Sequence, residues 1–311
     1  MRHIMWVRIG LAAILICAAP GAWAQSAATG GKDPSISQGG DNPEPRTSQP
    51  FSGETPLPPA PPPPITTPPT TSPIAPPDAA RSGAGASELG DWAVAVIAAD
   101  WRSSQGQPIR AFENSRRDLS AAFLRAGFDA DNITALSLAP NASGAAMGSQ
   151  RAVAAIEAVT RRATSGCLLY FTSHGSPSGI VWGPEGIMAP QVMDRLIDGW
   201  CGTRPTVIVV SACFSGVFVP TLAQPNRMIM TAARRDRSSF GCSEDATHPY
   251  FDGCVLESMN HARDFMTLSM RTTACVNRRE REEGLRPPSE PQTYIGAQMQ
   301  PLLPFLQFAS P

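Results

Sequence analysis

Two runs decide how this chain folds: Cys167-Leu168-Leu169-Tyr170-Phe171-Thr172-Ser173 and Thr206-Val207-Ile208-Val209-Val210-Ser211-Ala212. Each is short, nearly continuously apolar and rich in β-formers, so each reads as a strand buried on both faces. Between them, Met193, Leu196, Ile197 and Trp200 recur at helical spacing and predict a helix from Gln191 to Trp200. Gly179–Trp182 and Ile187–Met188, separated by Gly-Pro-Glu-Gly, predict a small hairpin. The same alternation extends upstream. Trp92 to Ala99 and Ile133 to Leu138 read as strands, and Arg116 to Ala126 and Gln150 to Arg162 as helices, with Gly127 as a stop. Downstream, Met228 to Thr231 reads as a strand, Phe251 to Met270 as one helix, and Thr293 to Ile295 as a last short strand. Strands alternating with helices imply an α/β fold with a parallel sheet covered on both faces.

The rest of the chain contrasts sharply with this region. Residues 1–24 carry Arg2 and Arg8, an apolar run from Ile9 to Ala19, then Ala22-Trp23-Ala24. Those are the parts of a secretory signal peptide cleaved after Ala24, and the run is too short to span a bilayer. An exported product, periplasmic or secreted, is expected, with no transmembrane segment. Residues 25–88 hold 16 of the 32 prolines and one aromatic residue, Phe51, which predicts a disordered linker, extended between Pro56 and Pro77. Residues 89–308 are left as one α/β domain. The chain has 25 Lys and Arg against 26 Asp and Glu, a net charge of −1, with no excess of positive charge to hold nucleic acid.

In open α/β sheets ligands gather beyond the carboxyl ends of the strands. The first of the two runs ends in His174-Gly175, the second in Cys213. If these strands are neighbours, a thiol and an imidazole meet at one sheet edge, the minimum apparatus for covalent acyl transfer. The thiolate attacks a carbonyl and the imidazolium protonates the leaving amine. Main-chain N–H groups of Gly175 and Cys213 would form an oxyanion hole, and a helix starting after Cys213 would favour the thiolate.

Phe171-Thr172-Ser173-His174-Gly175-Ser176 and Ser211-Ala212-Cys213-Phe214-Ser215-Gly216 resemble the two active-site motifs of the legumain family of asparaginyl endopeptidases. The resemblance runs from about Trp92 to Gln307 and implies a caspase-like α/β/α sandwich with a mostly parallel sheet of about six strands. It implies that Cys213 is the nucleophile and His174 the general acid/base, with Asn114 orienting the imidazole. Arg116, in Glu113-Asn114-Ser115-Arg116, would line the primary specificity pocket, with Ser211 and Ser239 as further substrate-binding positions. Asparaginyl members carry an acid two residues before the cysteine, where this chain has Ser211. That departure leaves Asn or Asp open as the residue before the cut, with Glu244, Asp245 or Asp252 as candidate replacement acids. The expected activity is a cysteine endopeptidase acting on peptides or proteins without a cofactor. A transamidase using the same acyl-enzyme and a non-catalytic binding module on the same fold are the alternatives.

Beyond Cys213, the chain expected after cleavage contains Cys167, Cys201, Cys242, Cys254 and Cys275, enough for at most two disulfides and one further thiol. Cys242 with Cys254, across a loop, is the first expected pair, and Cys167 with Cys201 the second. No Cys-x-x-Cys occurs, and no histidine has another His or a Cys at i+3 or i+4, so no zinc spacing is present and no metal site is expected. The run Arg278 to Glu283 reads as a solvated helical face.

Overall fold

A computed structural model describes residues 88–309 other than 104, 142 and 244; the expected signal peptide and linker lie outside these residues. Six strands form one sheet: β1 (Trp92–Ala98), β2 (Ile133–Ser137), β3 (Gly166–Thr172), β7 (Thr206–Ser211), β8 (Arg227–Thr231) and β9 (Gln292–Ile295). They lie in the order β2-β1-β3-β7-β8-β9. The first five run parallel, and β9 pairs antiparallel with β8. A small antiparallel sheet of β4 (Gly175–Ser176), β5 (Gly179–Trp182) and β6 (Gly186–Met188) includes the expected hairpin and leaves directly from the end of β3.

Both faces of the large sheet are covered because successive residues of each strand point opposite ways. Val94, Val96, Leu168, Tyr170, Val207 and Val209 enter one apolar layer with Leu119 and Phe123 of α1 (Ala111–Arg125), Phe251 of α5 (Tyr250–Met259) and Phe265 of α6 (Phe265–Glu282). Their neighbours Ala95, Ile97, Leu169, Phe171, Ile208 and Val210 enter the other. There they meet Ile156 of α2 (Ser149–Arg162), Met193 and Ile197 of α3 (Pro190–Cys201), and Leu222 of the four-residue α4 (Val219–Leu222). The result is an α/β/α sandwich. Among the described residues no helix is long and apolar enough to cross a membrane.

Three expectations are corrected. The single helix over Phe251–Met270 is two helices, α5 and α6, broken at Asn260–Asp264. Asp264 starts the second: its carboxylate accepts the N–H of Thr267 at 2.7 Å and the Thr267 hydroxyl accepts that of Asp264, a reciprocal cap that outweighs continuation. Cys254 pairs with Cys275 across the α5–α6 contact instead of with Cys242, since both lie on the inner faces of those packed helices; the second expected bridge, Cys167–Cys201, is present. Finally, the Arg278–Glu283 run is not wholly solvated. Glu280 is buried and accepts the Ser289 N–H, at 3.1 Å and 3.2 Å on its two oxygens.

Candidate active site

The register Phe171↔Val210 and Thr172↔Ser211 makes β3 and β7 adjacent and ends them together, so the segments bearing His174 and Cys213 leave the sheet side by side. The Ser173 N–H donates to the Ser211 carbonyl at 3.1 Å and continues the ladder one residue further. Contact then becomes direct: a Cβ on Gly175 would lie 2.0 Å from the Cys213 carbonyl oxygen and 3.0 Å from the Ala212 side chain. Only glycine lets the two segments approach this closely.

His174 is fixed through both its backbone and its ring. Its carbonyl accepts the Val181 N–H at 2.9 Å, and the Ser173 hydroxyl donates to the Val181 carbonyl at 2.7 Å, tying the segment to β5. The ring stands edge-on to Phe112, with centroids 5.1 Å apart. Its Nε2 lies 2.7 Å from the Arg102 carbonyl. A carbonyl can only accept, so Nε2 carries the proton, and in the neutral imidazole the lone pair lies on Nδ1.

The orienting contact expected of Asn114 is thus made by the main chain at Arg102, while the Asn114 amide donates to the Thr247 carbonyl at 3.0 Å. Asp100 sets that loop. This residue is 4% exposed at the end of β1, and its Oδ1 accepts the Trp101 N–H at 2.8 Å, the Arg102 N–H at 3.3 Å and Arg102 Nε at 2.8 Å. The Arg102 guanidinium also reaches the Gly183 carbonyl at 3.3 Å, bridging the loop to the hairpin. One signal for Asp100 was present in the sequence, a charge closing an otherwise apolar strand. The Arg102 carbonyl, as main chain, had none.

Cys213 is buried and outside both disulfides. Its Sγ accepts the Ser239 N–H at 3.3 Å and lies 3.6 Å from both the hydroxyl and the carbonyl oxygen of Ser239, so Ser239 is brought to the thiol. After Cys213 the chain turns sharply. Phe214 takes a left-handed φ of 58°, and its N–H donates to the Arg237 carbonyl at 2.7 Å. A left-handed non-glycine residue stores strain, and here it sits next to the thiol. The chain continues as a 3₁₀ turn, Ser215–Phe218, and then the short α4, so no extended helix points its N-terminal field at the thiol as expected.

Ser211 and Arg116 stand elsewhere. The Ser211 hydroxyl is buried with Asp252 on the α5 side of the sheet. Arg116 donates to Glu113 at 3.0 Å and to the Ala135 carbonyl on β2 at 3.4 Å; β2 is separated from β7 by β1 and β3, so the structure does not bring this guanidinium to the thiol. Asp252 is a polar centre under both strand ends. It accepts from Tyr170 and Thr172, each at 2.6 Å, with Ser211 and Ser115 also bonded to it. Burial pushes its pKa up, opposed by these hydroxyls. Tyr170 is likewise pushed well above its ordinary range by burial and by the adjacent Asp252. A single acid inside the otherwise apolar start of α5 was the sequence signal for this centre. Among the described residues, no group of His, Cys, Asp and Glu could hold a metal ion.

Comparison with known proteins adds family information to this geometry. The model of the Peptidase C13 family matches residues 95–277, a span that includes Asn114, His174, Cys213 and Ser239. Among solved structures, caspase-1 from Spodoptera frugiperda is similar with a TM-score of 0.49 at 13% identity, over 68% of this chain and 88% of that one. No curated protein matches the sequence.

Proposed function

Because this chain belongs to the Peptidase C13 family, we propose that it is an exported cysteine endopeptidase that cuts after Asn or Asp through a Cys213–His174 dyad. The observation that carries this reading is the close approach of the two motifs: Gly175 packs against the Cys213 carbonyl while the imidazole is held through Nε2 by Arg102. In this reading His174 Nδ1 removes the thiol proton and the sulfur attacks the scissile carbonyl. The N–H groups of Gly175 and Cys213 receive the oxyanion. The imidazolium then protonates the departing amine, and water releases the acyl group by the reverse sequence. Ser239, in contact with the sulfur, would form a wall beside the bound acyl group. Asn114 acts at one remove, by holding Thr247, and Arg116 would reach a substrate only after leaving Glu113.

The test is mass spectrometry of a peptide library incubated with the wild type and with Cys213→Ala. Cuts after Asn or Asp made by the first and absent with the second are expected. Cuts after other residues would remove the specificity, and cleavage by the alanine variant would remove the dyad.

A further inference from the structure

A cavity of about 440 Å³ lies beside the segment that follows Cys213, lined by Gly216, Val219, Pro220, Arg234, Arg235, Asp236 and Gln292. Three features place it relative to Cys213. The register Thr231↔Gln292 sets it at the carboxyl end of β8, the sheet end that also carries the thiol. The loop forming its wall is pinned to the residues after Cys213, by Phe214 N–H on the Arg237 carbonyl at 2.7 Å and Gly216 N–H on the Ala233 carbonyl at 2.8 Å. A Cβ on Gly216 would meet the Arg235 nitrogen at 2.5 Å, so this docking is tight. Finally, β7 lies between β3, which leads to His174, and β8, which leads to the cavity. The leaving amine must face His174 to be protonated, so the acyl half of a substrate extends the other way, toward the cavity.

The charges in this wall do not cancel. Arg234 pairs with Asp236 at 2.6 Å and Glu290 at 2.5 Å, and Arg237 pairs with Asp236 at 3.0 Å and lies 3.8 Å from Glu290. Two arginines and two carboxylates thus neutralise one another, and the Arg234 contact holds Asp236 ionised, its pKa pulled down to about 2. Arg235 is the surplus. It is exposed, it lines the cavity, and among the described residues no carboxylate pairs with it.

We propose that this cavity is an acyl-side subsite in which Arg235 receives a carboxylate-bearing side chain of the peptide, so that Asp or Glu upstream of the cut is favoured over its amide. The inference rests on the peptidase reading above. An exposed arginine–carboxylate contact contributes modestly, so the expected preference is on the order of two- to fivefold in kcat/KM, shrinking as salt is added.

The test uses the purified chain and four pairs of fluorogenic peptides, each pair differing only by Glu against Gln at the second, third, fourth or fifth residue before the cut. The expected result is a Glu preference at one position in the wild type, a ratio near one in Arg235→Gln, and a Gln preference in Arg235→Glu. Ratios near one at all four positions in the wild type, or a Glu preference that survives Arg235→Gln, would overturn the subsite and leave the peptidase reading standing. Cleavage that is absent, or that persists in Cys213→Ala, would instead overturn the peptidase reading and the subsite with it. Melting temperatures of both Arg235 variants separate a lost preference from a lost fold.

Discussion

Gly175→Ala is the sharpest probe of the site because its only demand is steric. Gly175 φ lies outside the left-handed region, so alanine brings no backbone strain of its own. Its new methyl would begin 2.0 Å from the Cys213 carbonyl oxygen, with the Ala212 side chain 3.0 Å away. Close carbon–oxygen contacts in proteins lie at about 3.3 Å, so the two segments must part by roughly 1 Å. Neither neighbour is a flexible side-chain end that could give way. The cost splits in two. Overpacking a tight interior contact destabilises by about 1–3 kcal/mol, which for a domain of this size lowers Tm by roughly 2–12 °C. Separately, a displacement of about 1 Å between nucleophile and base lowers turnover by on the order of a hundredfold, about 2.7 kcal/mol of barrier.

The assay is kcat/KM on a peptide found in the library screen, measured at least 15 °C below the variant's melting point, beside the rate of Cys213 alkylation by iodoacetamide. Activity should fall by about two orders of magnitude while the protein remains folded. Full activity and an unchanged Tm in Gly175→Ala would refute the contact between the two motifs, and with it the geometry on which the dyad is argued.

Asp100→Ala should lower kcat about tenfold or more with KM little changed, because the loop presenting the Arg102 carbonyl to His174 loses its anchor; Asp100→Asn, which still accepts the Trp101 and Arg102 N–H groups, should recover much of the loss. A kcat untouched by the alanine change would make Asp100 purely structural. Asp252 has a raised folded pKa, so its contribution to stability is present in full at low pH and is lost as pH rises through that folded value. Melting curves from about pH 4 to 8 should therefore show the wild type's advantage over Asp252→Asn shrinking as pH rises, whereas a constant or growing advantage would contradict the raised pKa. Thiol titration of the denatured, unreduced chain lacking residues 1–24 should find two thiols, Cys213 and Cys242. Breaking either bridge, whose cysteines are 34 and 21 residues apart, should cost roughly 3–4 kcal/mol in a denaturant titration.

How far the sequence could be read depended on where each property is encoded. The layer order was legible because the strands carry it locally: Cys167–Ser173 and Thr206–Ala212 are apolar on both faces, and only a sheet covered twice accommodates that. The neighbouring placement of the Cys213 and His174 segments was legible for the same reason, since each comes directly after a strand whose end is predictable. The Arg102 carbonyl was not, because every residue carries one and only the folded loop selects it. The Cys254–Cys275 bridge was missed along with the break at Asp264. Once the two helices were read as one, their inner faces could not be seen to meet, although Asp264 and Thr267 are a legible capping pair.

The departure at Ser211 has a physical reason that appears only in the fold. Alternation along β7 puts Ser211 on the same side as Val207 and Val209, facing α5, where its hydroxyl bonds Asp252. An acid at position 211 would therefore confront the Asp252 carboxyl in a space closed to water, and two carboxylates there could not both be ionised. One buried acid fits beneath these strand ends, and this chain carries it on the helix instead of the strand. Its four hydroxyl neighbours, Tyr170, Thr172, Ser211 and Ser115, gather on it from β3, β7 and α1. Asp252 is thereby committed to holding β3 and β7 in register below the thiol and the imidazole.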